Sequence, residues 1–164
     1  MTSAIIVTAA NNTFYRTLYQ FLLSIKRHKI EKKNTILIYD LGLLPHQLEK
    51  LKKHFLSPSF KFRHFKVTGK IETFYWKPII ISNVLQEYNI PVLWLDSATV
   101  ILQSLDPIIK TIKQTGLYTP IASMEQFSNR LHSGTINYLN IPAEFLKKRT
   151  RAGGYCGFNP NHDT

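Results

Sequence analysis

Apolar residues run along the chain in two rhythms. Three short stretches are almost continuously apolar: "AIIVTAA" at 4–10, "TILIY" at 35–39, running out at Asp40, and "IPVLWLD" at 90–96. Runs of this length without alternation predict strands buried on both faces. Between them the spacing changes. Phe14, Leu18, Phe21, Leu22 and Ile25 recur at helical intervals behind "NNT", whose Asn and Thr side chains suit a helix N-cap. The basic run from Lys26 ends that helix where cations favour the dipole. "LGLLPHQ" predicts a turn into a short helix with Leu48, Leu51 and Phe55 inward, and "FKFRHF" at 60–65 alternates as a half-exposed strand does. Helices follow over 72–88, with Pro78 in the first turn, and over 104–114, with Pro107 at the start. "GLYTPIAS" reads as a short strand, "SGTINYLN" and "PAEFLKK" as short helices, and "GGYCGFNPN" as a glycine-rich strand or loop.

Strands alternating with helices, without repeats or a linker, predict a single α/β domain. Its expected core is a mainly parallel, Rossmann-like sheet with helices on both faces. Sheets of this kind bind ligands beyond the carboxyl ends of their strands, where strand order reverses. Thr8 to Asn11, Asp40 and Asp96 all fall at or just past such ends. Asp96 interrupts the apolar run "LWLDSATVIL". A carboxylate there suits either of two roles: holding a divalent cation against phosphates, or capping a turn through the amides of Ala98 or Thr99.

Composition narrows the classes. The chain has 164 residues, 44% hydrophobic and 12% aromatic, which is enough for a globular core. The longest apolar runs are too short for a membrane span, and "MTSAIIVTAANN" lacks a basic leader, so the expectation is a cytoplasmic protein. The lone Cys156 excludes an internal disulfide and reads as a small packed residue; the six histidines show no zinc-type spacing with it. His162, in the terminal "NHDT", reads as part of a frayed tail. Phosphate cradles of the GxxxxGK[ST] and GxGxxG types are absent. The net charge of +11, clustered at Lys26–Lys33, Lys50–Lys53, Lys61–Lys70 and Lys147–Arg151, favours anionic partners.

The order of features resembles the nucleotide-binding part of GT-A fold glycosyltransferases, including a divergent group whose acidic motif reads like "WLDSS". "IIVTAANNTFYRTLYQFLLSIKRH", "ILIYDLGL", "FYWKPIII" and "VLWLDSATVI" carry the resemblance in sequence order, and "AGGYCGFNP" resembles the later segment lining the cleft. The resemblance implies a nucleotide-diphospho-sugar donor and an acceptor that is a glycan, protein or lipid. It implies contacts to base and ribose from Thr8, Ala9 and Asn11, with Asp40 nearby. Lys77 is implied at the diphosphate, Asp96 as ligand of Mn²⁺ or Mg²⁺, and Ser97 beside it. No residue is singled out as catalytic base. Two departures stand out. Asp96-Ser97-Ala98 keeps only the first acid of an Asp-x-Asp motif. GT-A enzymes also usually continue beyond the glycine-rich segment, so residues 1–164 read as a nucleotide-sugar-binding domain lacking a C-terminal portion. The rival expectation is a non-catalytic basic module that binds nucleic acid or another polyanion.

Overall fold

The computed structural model describes residues 3–162. The chain divides into two compact units, one of Met1–Tyr118 with Gly154–Thr164 and one of Thr119–Gly153.

The larger unit is built on a six-stranded sheet in the order β3-β2-β1-β4-β8-β5. Its strands are β1 (Ile5–Ala10), β2 (Thr35–Asp40), β3 (Phe60–His64), β4 (Val92–Leu95), β5 (Leu117–Tyr118) and β8 (Tyr155–Phe158). β3, β2, β1 and β4 are mutually parallel, while β8 runs antiparallel between β4 and β5. The continuous apolar runs have a direct cause. Alternate β1 residues serve two separate cores: Ile6 and Ala10 belong to one, and Ile5, Val7 and Ala9 to the other. Helices α1 (Tyr15–Arg27), α2 (Pro45–His54) and α4 (Asp106–Thr115) supply Phe21, Leu51 and Ile109 to the first core. Helix α3 (Trp76–Tyr88) covers the opposite face with Trp76, Ile80 and Val84. Helices thus lie on both faces of a mostly parallel sheet.

The cap expected of "NNT" is made by Asn11. Its Oδ1 accepts from Thr13 N at 3.1 Å and Phe14 N at 3.3 Å, closing a 3-10 turn that runs into α1. The end of the described chain is tied down rather than frayed. Asn161 Nδ2 donates to the Asn89 carbonyl at 2.9 Å, and His162 Nε2 lies 2.9 Å from the Gln114 carbonyl. The tail thereby answers carbonyls that two helix ends would otherwise leave open.

The smaller unit pairs β6 (Ile121–Gln126) with β7 (Arg149–Arg151) in a separate antiparallel ribbon, with short helices α5 (Ser133–Tyr138) and α6 (Ala143–Leu146) between them in sequence. The Phe127 and Phe145 rings stack at 5.0 Å, and the Ser123 and Thr150 hydroxyls meet at 3.0 Å. The single strand expected in "GLYTPIAS" is therefore two strands in two sheets. They part at Thr119-Pro120, where proline has no amide to continue a ladder.

Candidate functional site

β1 lies between β2 and β4, and the chain winds outward from it in both directions. The strand order therefore reverses between β1 and β4, which opens a crevice at their carboxyl ends. A cavity of about 400 Å³ occupies it. Ala9, Ala10 and Asn11 from the end of β1 form one wall, with Thr13 and Phe14 of the capping turn. Leu41 follows β2; Ile71, Glu72 and Phe74 lead into α3, which begins at Trp76; and Asp96, Ser97 and Ala98 follow β4.

Asp96 is held by three elements. Its Oδ1 accepts from Lys77 Nζ of α3 at 2.7 Å and from Trp94 Nε1, two residues back on β4, at 2.6 Å. Its backbone N donates to the Gly154 carbonyl at 2.8 Å. The turn after β4 is closed by the main chain, Thr99 N to the Asp96 carbonyl at 2.9 Å. The carboxylate is therefore not spent on capping and stands 43% exposed. The Lys77 side chain is only 16% exposed, and its ammonium lies 5.2 Å from the Trp94 ring centre and 5.7 Å from that of Phe74. Two aromatic faces and one carboxylate fix that cation in place.

The residues named from sequence separate into groups. Ala9, Asn11, Asp96 and Ser97 line the cavity, and Lys77 adjoins it through Asp96. With Asn11 Oδ1 committed to the cap, its Nδ2 group is the donor left for a ligand. The Thr8 side chain is 0% exposed and absent from the cavity wall, because β1 alternation turns it toward α1. The Asp40 carboxylate closes the turn after β2, accepting from Gly42 N at 2.8 Å and Leu43 N at 2.6 Å. Asp40 is likewise absent from the wall. Burial pushes the Cys156 thiol upward, which keeps it protonated and unsuited to nucleophilic attack.

The sequence singles out neither Glu72 nor Phe74, and it offers Trp94 as core or a stacking face and Gly154 as a turn or a close backbone approach rather than as neighbours of Asp96. Trp94 reads as core and is fully buried, yet its indole N–H addresses Asp96; strand alternation, which puts 94 and 96 on one face, was the available signal. Glu72 brings a second acid to the cavity. Phe74 holds a left-handed backbone at φ 54°, uncommon for a bulky residue, and presents a 58% exposed ring. At Gly154 a Cβ would stand 3.1 Å from Asp96 Oδ2. Only a residue without a side chain leaves that carboxylate its full room.

The donor set does not fit a metal centre built by the protein. Among the described residues no three His, Cys, Asp or Glu side chains gather where an ion could be held. The charge of Asp96 is already answered by the Lys77 ammonium at 2.7 Å. A divalent ion on the same carboxylate would have to share it with that ammonium.

No protein-family model matches the chain, and no curated protein matches it in sequence. Solved structures do match. The bifunctional glycosyltransferase WbbM superposes with a TM-score of 0.71 at 16% identity, over 98% of this chain and 32% of its own. The galactosyltransferase LgtC, solved with donor and acceptor sugar analogues, gives 0.66 at 15% identity over 97% and 60%. GlyE of Streptococcus pneumoniae gives 0.59 at 13% identity over 98% and 35%. The chain has the GT-A fold. This GT-A chain spans 60% of the length of LgtC and about a third of WbbM, where 32% is covered. Among the described residues of the GT-A chain no helix is long and apolar enough to cross a membrane.

Proposed function

We propose that residues 1–164 form the nucleotide-sugar-binding domain of a glycosyltransferase. The observation that carries this reading is the cavity at the β1/β4 switch point of a GT-A fold, with the Lys77–Asp96 pair on its border. Its walls are mainly apolar and aromatic with few polar groups, as suits a nucleoside. Phe14 and Phe74 offer flat faces to a base; Asn11 Nδ2 and the Ser97 hydroxyl offer hydrogen bonds to base or ribose. The diphosphate falls to the Lys77 side of the cavity.

In the reaction an acceptor hydroxyl oxygen bonds to the anomeric carbon of the donor sugar. The bond from that carbon to the phosphate oxygen breaks, and its electron pair leaves with the nucleoside diphosphate. The acceptor proton passes to solvent or to a base. Negative charge grows on the leaving phosphate, so a fixed positive charge there favours the transition state over the ground state. The acceptor is a glycan, a protein or a lipid bearing a hydroxyl.

Asn11 and Asp96 share one cavity and Lys77 is bonded to Asp96. Convergence on one cavity favours transfer over general polyanion binding. The test is a thermal-shift panel of nucleotide sugars, nucleoside diphosphates and a short single-stranded RNA. A ligand at about a hundredfold excess over its Kd adds about 2.7 kcal/mol to native stability. One class of nucleotide sugar should raise Tm together with its own diphosphate. A shift with RNA alone would replace this reading by the polyanion one.

A further inference from the structure

The acid motif of this chain has a single carboxylate, Asp96, and that carboxylate already faces a cation. Asp96 Oδ1 receives Lys77 Nζ at 2.7 Å and the Trp94 indole at 2.6 Å. The Trp94 donor is immobile, since its ring is fully buried between strand and helix. The Lys77 ammonium is flanked by the faces of Trp94 and Phe74 at 5.2 and 5.7 Å. Phe74 adopts its left-handed conformation in the turn that places its ring beside the cavity. A lysine on an ordinary surface swings through solvent; this one is confined on three sides at the border of the cavity. Confinement before the ligand arrives spares the entropy otherwise lost on binding.

We propose that Lys77 supplies the positive charge that holds the donor diphosphate, so that this site binds a nucleoside diphosphate without a divalent ion. The inference rests on the donor-binding reading above. Asp96 is then a positioning residue: it aims the ammonium and is not a metal ligand. The leaving phosphate keeps the electron pair of the broken glycosyl bond and is stabilised by an N–H⁺ donor from the chain. The ammonium has three N–H donors, so it can meet a phosphate oxygen while keeping Asp96, whose Oδ1 also accepts from Trp94 Nε1.

The experiment is isothermal calorimetry on the full chain with UDP, GDP, ADP, CDP and dTDP, each beside its nucleoside, in EDTA and in Mn²⁺. Titration of Mn²⁺ alone is followed by loss of the free-ion EPR signal. One diphosphate should bind in EDTA with an affinity unchanged by Mn²⁺, and the free-ion signal should persist. Lys77→Met should weaken that diphosphate about tenfold or more while leaving the nucleoside unaffected, and Lys77→Arg should restore most of the loss. Asp96→Asn keeps an acceptor oxygen for Lys77 and Trp94 and removes the competing charge. It should hold or raise diphosphate affinity, where a metal ligand would lose it. Binding that appears only with Mn²⁺, or that Asp96→Asn abolishes, overturns the inference and leaves the donor-binding reading standing. Absence of any nucleoside or diphosphate binding, with or without Mn²⁺, overturns both. The wild-type comparison of EDTA with Mn²⁺ decides the matter even if a Lys77 variant fails to fold.

Discussion

The Thr8 hydroxyl is buried in the sheet with no hydrogen-bond partner among the described residues. An orphaned polar atom costs desolvation and returns nothing, so Thr8→Val should raise stability by on the order of 1 kcal/mol. The same variant should leave nucleoside diphosphate affinity unchanged, because Thr8 does not reach the cavity wall. Urea denaturation and calorimetry check the two halves, and a loss of affinity would return Thr8 to the site. Gly154 makes the opposite case. A methyl there would press on Asp96 Oδ2 from 3.1 Å and push the carboxylate, and Lys77 with it, by a few tenths of an ångström. Gly154→Ala should therefore fold normally yet bind diphosphate about tenfold more weakly, since site geometry is more sensitive than stability. Equal binding would show that the aim of Lys77 is not set through Asp96. These two residues mark what one sequence discloses. The strand end at Asp96 was legible because a carboxylate in an apolar run is an anomaly. The parts played by Trp94 and Gly154 were not, because a buried Trp and a glycine look the same whether they pack or position.

At the level of elements, the continuous apolar runs identify β1, β2 and β4, helical spacing identifies α1, and Pro78 in a first turn marks α3, because burial on two faces and on one stripe leave different periods. The glycine-rich end reads from sequence as either strand or loop, and its pairing is not visible there. β8 runs antiparallel between β4 and β5, and only tertiary neighbours select that place. Gly157 shows how closely those neighbours press: a Cβ there would fall 2.2 Å from Ile112 Cδ1 of α4. Ile112 is fully buried, so Gly157→Ala must overpack α4 against β8, and a destabilisation of about 1–3 kcal/mol is expected in chemical denaturation. No change would mean that α4 rides loosely on the sheet. β3 and α3 are joined by Arg63, whose guanidinium donates to Glu87 at 2.6 Å and to Tyr88 Oη at 2.9 Å. The hydrogen bond from Arg63 holds the Glu87 carboxyl below its usual range. A lowered folded-state value means that the unfolded chain binds the proton first as pH falls. The pair's contribution is thus present above the ordinary glutamate value of 4.5 and fades as pH drops through the lower folded value. Glu87→Gln should flatten that acid limb of the stability–pH curve. Its effect at neutral pH should stay small, because the pair is solvent-screened.

At the largest scale, the basic cluster at Lys26–Lys33 lies away from the cavity. In the parallel layout α1 returns antiparallel to β1, so its last turn and the following loop lie at the amino edge of the sheet. Ser3 N, just before β1, donates to the Lys33 carbonyl at 2.7 Å, and Lys33 Nζ pairs with Asp106 at 2.8 Å at the start of α4. The cavity opens at the other end of β1, about 20 Å away for six residues at roughly 3.3 Å each. That separation exceeds two Debye lengths at physiological salt, about 8 Å each. Lys26, Arg27, Lys29 and Lys32 are exposed there and should therefore act on ligand affinity only through the long-range field. Their combined replacement by Gln should change diphosphate Kd by less than about twofold at ~0.15 M salt, while slowing association at ~0.01 M, where the Debye length is ~30 Å. Lys77→Met should show the reverse: a loss that persists at both salt concentrations, because a contact charge in a partly buried site is poorly screened. Stopped-flow association and equilibrium titration at the two ionic strengths separate the cases. If the four-residue variant lost more than about tenfold in affinity at ~0.15 M, the diphosphate would belong to the amino edge of the sheet. The basic face, rather than the β1/β4 crevice, would then be the binding site.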